Sequence, residues 1–376
     1  MKFIISRDVL YRNLSAISGV LSSNNPMPIL DNFLFSIQGN QLTLTCSDLD
    51  TTMQATLTLD TVEGEGSVAI PAKILLDTLK LIPETPIIFA IDIENNIMQF
   101  NAANGKYDAP CYKGDEYPQM KQVENPNTFD IQASVLQRAV SKTLFATGTD
   151  ELRPTMMGVF CQLDNEAITF VATDSHKLVR YRNFKVTSED YASFILPRKP
   201  LSNLKNILTG VDGDVHVEYS KDTNHIRFSF DNLVLLSTLK EGKYPNYESV
   251  IPKENPNFLI VSREDFLKSI RRVGIYSDQA TFQIRVSLSH ESTGITAEDM
   301  NFSNKAAENI TGEYLGEPMD IGFNTKFLRE MLENIDTEQI RIEMSKPNKP
   351  ALVLPVDENQ EEENLLMLIM PVMLGY

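Results

Sequence analysis

The same strand-to-helix segment occurs three times along the chain. Its copies, FIISRDVLYRNL, FDIQASVLQRAV and IVSREDFLKSIR, begin at Phe3, Phe129 and Ile260. In each copy an apolar run of strand length precedes apolar residues at helical spacing. An internal repeat constrains the fold more than composition does, because each copy must form the same supersecondary unit.

Three further markers recur at an almost constant interval. A strand ending in a polar corner (TCSD, VATD and TAED) closes on Asp48, Asp174 and Asp299, which are 126 and 125 residues apart. A second strand-to-helix join aligns Lys73, Lys199 and Lys326, which are 126 and 127 residues apart. The segments KGDEYP and KEGKYP are offset by 127 residues. The interval is too long for a solenoid repeat and has the size of a domain.

The repeats predict three copies of one α+β domain. The Pro- and Asn-rich segments VENPNT and PKENPN suit linkers, and they place the copies at 1–125, 126–254 and 255–376. Strand patterns dominate each copy, and two helices per copy are predicted, over 7–21, 72–83, 133–147, 198–209, 263–276 and 324–335. Helices segregated on an antiparallel sheet define this fold class. We also expect neighbouring copies to join their sheets edge to edge, which hides free strand edges.

Charge is distributed unevenly between these helices and the rest of the chain. The net charge is −17, but the predicted helices carry +9, which leaves −26 elsewhere. A basic surface on an acidic body can follow phosphates without reading bases, and it lacks the interleaved aromatics of a single-strand platform. Duplex DNA is therefore the expected partner of the helix cations, namely Arg7, Arg12, Lys73, Lys80, Arg138, Lys142, Arg198, Lys199, Lys205, Lys268, Arg271 and Lys326.

Catalytic, metal and cofactor signatures are weak. The segment TDSHK (Asp174–Lys177 with Thr173) places Ser, His and Asp too close in sequence for a catalytic triad, so a polar turn is favoured over a hydrolase using His176. There is no CxxC, HExxH, P-loop or GxGxxG motif. We expect no enzyme activity, no metal and no cofactor.

Other features bear on location. Three scattered cysteines indicate a reducing compartment. The N-terminus does not resemble a signal peptide, and the longest apolar run is too short to span a bilayer as a helix. A cytoplasmic protein without membrane association is expected. The Met-rich C-terminus, LLMLIMPVMLGY, suits either a buried last strand or the wall of a pocket for short peptides, and the two are compatible.

The ordered motifs resemble the bacterial DNA polymerase III beta subunit family, the sliding clamps. They are the MKF start, PIL-x-N from Pro28, VATDSHKL from Val171, PRK from Pro197, YPNY-xx-VIP from Tyr244, and the terminal MPVM. The resemblance covers the whole chain. It implies a head-to-tail homodimer forming a six-domain ring around double-stranded DNA, tethering DNA polymerase after assembly by a clamp loader.

The resemblance also implies functional residues. A partner-peptide pocket would be lined by Arg153, Met156, Thr173, His176, Lys177, Leu178, Pro245, Val250, Leu368, Met370, Pro371, Val372 and Met373. A dimer interface would pair Tyr107 and Ala109 of one protomer with Ile275 and Tyr276 of the next.

Several positions depart from the family pattern. The end MLGY replaces a common Arg-Leu, Asn24 and Asn25 stand where some members carry a DNA-contacting Arg, and Pro154 and Thr155 replace aromatics found in some members. A different class of protein, a multidomain scaffold or adhesion protein without a DNA channel, remains the alternative.

Overall fold

The computed structural model describes residues 1–22, 24–356 and 361–374. Part of the acidic segment Asp357–Asn364 and the terminal Gly375 and Tyr376 therefore lie outside the described residues. Two compact units are present, the first formed by Met1–Ser134 with Lys199–Leu239 and the second by Val135–Arg198 with Lys240–Tyr376. Each unit is built from residues of two successive sequence repeats.

Six α-helices lie within the described residues, at the six predicted places: α1 (Arg7–Ile17), α2 (Ala72–Leu81), α3 (Ala133–Thr143), α4 (Arg198–Ile207), α5 (Arg263–Val273) and α6 (Thr325–Glu333). They end two to four residues earlier than predicted. After α1, α3 and α5 the chain tightens into one 3₁₀ turn, at Ser18–Val20, Leu144–Ala146 and Gly274–Tyr276.

The strands of the first repeat are short and pair with one another in antiparallel fashion. They are β1 (Lys2–Ser6), β2 (Asn32–Gln38), β3 (Gln41–Ser47), β4 (Thr51–Thr58), β5 (Thr61–Glu63), β6 (Gly66–Pro71), β7 (Pro86–Asp92), β8 (Ile97–Ala102), β9 (Gly105–Pro110) and β10 (Tyr112–Lys113). The second repeat supplies β11 (Asn127–Gln132), β12 (Gly158–Leu163), β13 (Ile168–Thr173), β14 (Lys177–Asn183), β15 (Ala192–Pro197), β16 (Asp214–Ser220), β17 (His225–Phe230) and β18 (Leu233–Thr238).

The third repeat follows the same pattern. Its strands are β19 (Asn257–Ser262), β20 (Gln283–Leu288), β21 (Thr293–Asp299), β22 (Asn304–Ile310), β23 (Gly312–Leu315), β24 (Met319–Asn324), β25 (Gln339–Met344), β26 (Ala351–Pro355) and β27 (Glu363–Ile369). Among the described residues, the only helices besides α1–α6 are short 3₁₀ turns, so strand dominates each repeat as predicted.

Sheets run continuously across the repeat boundaries, as the sequence predicts. In the first unit, β4 pairs with β18 within the order β10-β6-β2-β3-β4-β18-β17-β16-β11, and a second sheet has the order β5-β1-β7-β8-β9. In the second unit, β14 pairs with β27 within the order β15-β12-β13-β14-β27-β26-β25-β19-β23, beside the sheet β22-β21-β20-β24. Strands β11 and β16–β18 of the second repeat thus join a sheet of the first repeat, and β12–β15 join a sheet of the third. This is why the second repeat is divided between the two compact units.

Each unit has its own apolar core beneath its helices. In the first unit, Phe3 stacks on Phe89 with ring centroids 4.8 Å apart, and Leu10 and Leu14 of α1 are fully buried. In the second unit, Tyr244 stacks on Phe160 at 4.9 Å. Aromatic pairs of this kind add to the stabilisation from buried area. No helix in the described part of the chain is both long and apolar enough to cross a membrane.

Candidate partner and DNA-binding site

The recurring aspartates close the same turn in all three repeats. Asp174 Oδ1 accepts hydrogen bonds from the amides of His176 and Lys177, both at 2.9 Å. Asp48 and Asp299 accept from the amides two and three residues after them in the same way. An aspartate that holds its own turn is engaged by the backbone, so TDSHK is the polar turn that the sequence favours.

The other TDSHK side chains are directed to different neighbours. The guanidinium of Arg153 donates to Ser175 Oγ, which also contacts the sulfur of Met156 at 3.3 Å. The His176 ring instead stacks on Phe327 of α6, with centroids 5.6 Å apart and planes 17° apart. A nucleophile and its base need a direct hydrogen bond, and these side chains are oriented toward other partners.

The second unit brings the C-terminal tail to the TDSHK turn, although nearly 200 residues separate them in sequence. Strands β14 and β27 are in register with Lys177 opposite Ile369 and Leu178 opposite Leu368. Beyond β27, the Met370 amide donates to the His176 carbonyl at 2.9 Å. The expected strand and the expected pocket wall thus form one continuous segment.

The thirteen residues that the resemblance assigns to the pocket all belong to this unit, but they differ in exposure. Four side chains, those of Thr173, Lys177, Leu178 and Leu368, are buried and support the surface from below. Val250, Met370 and Met373 are 49%, 38% and 72% exposed and offer apolar contact area. The rest, Arg153, Met156, His176, Pro245, Pro371 and Val372, are exposed or half-buried around them.

Helix α6 adds two residues that the sequence analysis missed. Lys177 Nζ lies 4.6 Å from the centre of the Phe327 ring and 2.8 Å from Glu330 Oε2. The segment FNTKFLREML aligns with the other strand-to-helix joins, but its helix has no net charge and therefore did not stand out. Only the tertiary structure places this face of α6 against the TDSHK turn.

The two cations of α3 are engaged inside the second unit. Arg138 donates to Glu363 at 2.5 Å and to Asp336 at 2.6 Å, and Lys142, which is 5% exposed, donates to Asp336 and to the Asn334 carbonyl at 2.7 Å. Hydrogen bonding to Glu363 raises the pKa of Arg138 despite its partial burial. These carboxylates already neutralise both cations, which disfavours a phosphate-binding role.

Two predicted DNA-facing cations of the first unit are also engaged. Arg7 donates to the carbonyls of Leu79 and Lys80 at 2.7 and 3.0 Å, and so caps the end of α2. Lys199 Nζ lies 2.5 Å from Asp48 Oδ2 and 2.6 Å from the Val20 carbonyl. Their positive charge stabilises helix ends and a turn, and little of it is available to a ligand.

The other predicted cations are more accessible. Arg12, Lys73, Lys80 and Arg198 are exposed, Lys205 is half-buried, and within the described residues no ion pair to a carboxylate involves these five. Lys268 and Arg271 pair with Glu264 and Glu333 at 2.6 and 2.8 Å. Lys326 lies 3.3 Å from the centre of the Phe282 ring.

Tyr107 lines an apolar groove on the first unit. The groove has a volume of about 660 Å³ and includes Ile74 and Leu81 of α2, which are 52% and 84% exposed. Tyr107 stacks on Phe100 at 4.9 Å, and Ala109 is half-buried beside it on β9, an edge strand. Ile275 and Tyr276 of the second unit lie 70% and 43% exposed on the 3₁₀ turn after α5.

The three cysteines are buried inside the protein. Cys46, Cys111 and Cys161 are free and buried, and burial raises the pKa of Cys46 to about 12. Within residues 1–22, 24–356 and 361–374, no group of three or more potential ligands is placed to hold a metal ion.

Comparison with known proteins agrees with this architecture. Family sequence profiles of the DNA polymerase III beta subunit match in chain order: the N-terminal domain over 1–121, the central domain over 130–246 and the C-terminal domain over 248–373. The beta sliding clamp of Pseudomonas aeruginosa is 29% identical over 360 residues, covering 96% of this chain and 97% of that protein. The Vibrio cholerae beta sliding clamp is 25% identical over 374 residues, and each chain is fully covered.

Solved structures give the same result. A crystal structure of the Pseudomonas aeruginosa sliding clamp bound to griselimycin superposes with a TM-score of 0.93 at 28% identity, with both chains fully covered. Repeated antiparallel domains with paired helices define the class of DNA sliding clamps. The chain belongs to the DNA polymerase III beta subunit family. It is a non-catalytic processivity factor of DNA replication, and neither the scaffold nor the hydrolase alternative is favoured.

Proposed function

We propose that two copies of this chain associate head to tail into a ring of six domains that encircles double-stranded DNA. The domains are those expected from the repeats, 1–125, 126–254 and 255–376. The observation that carries the proposal is the pair of unlike apolar surfaces: the groove containing Tyr107 on one unit and the exposed Ile275 and Tyr276 on the other. Unlike surfaces on one chain form a closed ring when the rotation between copies closes.

In this ring, DNA is held by the accessible helix cations. We include Arg12, Lys80, Arg198 and Lys205. We place Lys73 at the edge of the set because it lines the groove proposed as the dimer interface, and Lys268, Arg271 and Lys326 there because protein groups already contact them. Arg7, Arg138, Lys142 and Lys199 are left out of the set because backbone carbonyls and carboxylates occupy them. Contacts to phosphates alone permit sliding, since they carry no sequence information.

The partner surface is the pocket formed by the TDSHK turn and the C-terminal tail. Exposed apolar side chains over a buried core, with His176 and Arg153 for orientation, suit short peptide motifs. DNA polymerase and other proteins carrying such motifs would bind here. A clamp loader using its own ATP would open the ring, and the protein would act in the cytoplasm.

Topological retention tests this proposal. The protein is loaded onto nicked circular duplex by a bacterial clamp loader, and retention is measured before and after the circle is cut. A ring should remain on the circle and leave the linear product from its ends. Equal retention on both DNAs would contradict encirclement and leave only ordinary electrostatic binding.

A further inference from the structure

Lys177, at the partner-peptide pocket, is shared between two carboxylates. Its ammonium lies 3.0 Å from Asp174 Oδ2 and 2.8 Å from Glu330 Oε2. The lysine side chain is only 5% exposed, whereas those of Asp174 and Glu330 are 17% and 38% exposed. One cation cannot neutralise two anions, so this group of three residues carries one excess negative charge, and Glu330 is its most accessible member.

Among the described residues, Lys177 is the only cation paired with the Glu330 carboxylate, and the neighbouring cations are directed to other groups. Arg153 lies across the TDSHK turn, but its Nε is 3.3 Å from Asp150 Oδ2. On α6 itself, Arg329 is 3.6 Å from Glu333, and Lys326 lies over the Phe282 ring. The tail supplies an uncharged side chain, Met373, which is 72% exposed. The Glu330 carboxylate therefore shares its one ion-pair partner with Asp174, and it remains accessible to a further cation.

Glu330 is also positioned next to the apolar part of the pocket. It follows Phe327 by three residues, so the two side chains share one face of α6. Phe327 stacks on His176, whose carbonyl accepts the hydrogen bond from the Met370 amide. A peptide whose apolar side chains reach Met370 and His176 would thus pass Glu330.

We propose that Glu330 makes the pocket selective for peptides that carry a lysine or arginine beside their apolar anchors. The inference rests on the partner-peptide pocket proposed above and adds a chemical preference to it. A cationic residue would neutralise the surplus charge, and an acidic one would be repelled by Asp174 and Glu330 together. A partly exposed ion pair of this kind changes affinity by about three- to tenfold at low salt.

Selection from a random heptapeptide display library tests the preference. The library is selected on the full-length protein, on Glu330→Gln, on Glu330→Lys and on a variant with an obstructed pocket, Val250→Arg. Pocket ligands are peptides retained by the unmodified protein and lost on Val250→Arg. We expect these to be rich in lysine and arginine at a fixed distance from the apolar residues, with the enrichment lost on Glu330→Gln and reversed on Glu330→Lys.

The matched control is Glu333→Gln, which removes a similarly exposed carboxylate from the same helix, one that pairs with Arg271 and Arg329 instead of Lys177. Anisotropy titrations then compare one selected peptide with its Lys→Gln counterpart. The preference should be about three- to tenfold at low salt, shrink at high salt, persist in Glu333→Gln and vanish in Glu330→Gln. Pocket-dependent peptides with the same charge composition on Glu330→Gln would overturn this inference alone. An absence of pocket-dependent peptides would overturn the proposed pocket as well.

Discussion

Individual cations in this clamp have different roles although they look alike in sequence. Arg138 and Lys142 lie on α3, yet both bind Asp336, a carboxylate from a residue almost 200 positions away. Burial alone would raise the pKa of Asp336, but hydrogen bonds from Lys142 and Arg138 outweigh it and lower that pKa. The residue therefore contributes stability in its ionised form.

Replacing Asp336 with asparagine should destabilise the second unit in a pH-dependent way. A lowered pKa means that the contribution is present at neutral pH and is lost as the pH falls below about 4. Because the Asp336 side chain is 61% exposed, we expect a loss of only about 1 kcal/mol at pH 7 and a smaller loss at pH 3. Urea-unfolding midpoints of the two proteins measure the difference.

Asp222→Asn is the control, since it changes an exposed carboxylate in a turn. The urea-unfolding midpoint of this variant should equal that of the unmodified protein at either pH. A destabilisation by Asp336→Asn that is equally large at pH 3 and pH 7 would mean that the carboxylate acts through its shape and not through its charge.

At the level of elements, the sequence predicted much of the fold because the repeats supply three examples of each pattern. All six helices lie where periodicity places them, since their apolar faces must cover a sheet. The last residues of α1, α3 and α5 were placed three or four residues too far along the chain, because the 3₁₀ turns that follow them continue the apolar pattern without continuing the α-helix. Edge-to-edge sheet joining followed from the need to cover strand edges.

The candidate site was less predictable. The resemblance supplied the thirteen pocket residues, but burial of Lys177 and the approach of Phe327 and Glu330 depend on distant pairing between β14 and β27. Helix charge likewise did not reveal that Arg7, Lys142 and Lys199 bind inside the protein. A local pattern gives the position of a cation along the chain, whereas its ion partners come from tertiary contacts.

The 3₁₀ turn after α5 provides a test of the dimer interface at the scale of one element. Ile275→Asp should leave the fold intact, because this side chain is 70% exposed in the single chain. In the proposed ring it would place an unpaired carboxylate in an apolar contact, weakening association by about 100-fold or more. Light scattering coupled to size exclusion should then give the monomer mass where the unmodified chain gives a dimer.

Tyr191→Asp is a matched control, since that aromatic is 59% exposed in the loop before β15 and its replacement should leave the mass unchanged. If Ile275→Asp keeps the dimer mass at low concentration, the interface lies elsewhere.

At the scale of the whole molecule, the net charge of −17 is a poor guide to DNA binding, because positive charge is concentrated on the helices and negative charge lies elsewhere. The predicted helices carry a formal +9, but Arg7, Arg138, Lys142 and Lys199 use their charges within the protein. Binding to phosphate therefore depends on a smaller set of accessible cations. Acidic residues elsewhere disfavour DNA on other surfaces, so position and not total charge decides where DNA is held.

Reversing two accessible charges of α4 should test this conclusion. Arg198→Glu with Lys205→Glu should reduce loading onto nicked circular DNA, because two attractive interactions with phosphate become repulsive. The slope of log affinity against log salt concentration should flatten by about 0.9 for each phosphate that is no longer neutralised.

The matched control, Lys221→Glu with Lys253→Glu, makes the same change in net charge at exposed residues outside the helices. Loading measured across a salt series should fall several-fold for the first pair and little for the second. Equal reductions would mean that total charge, and not a basic helix surface, governs DNA binding.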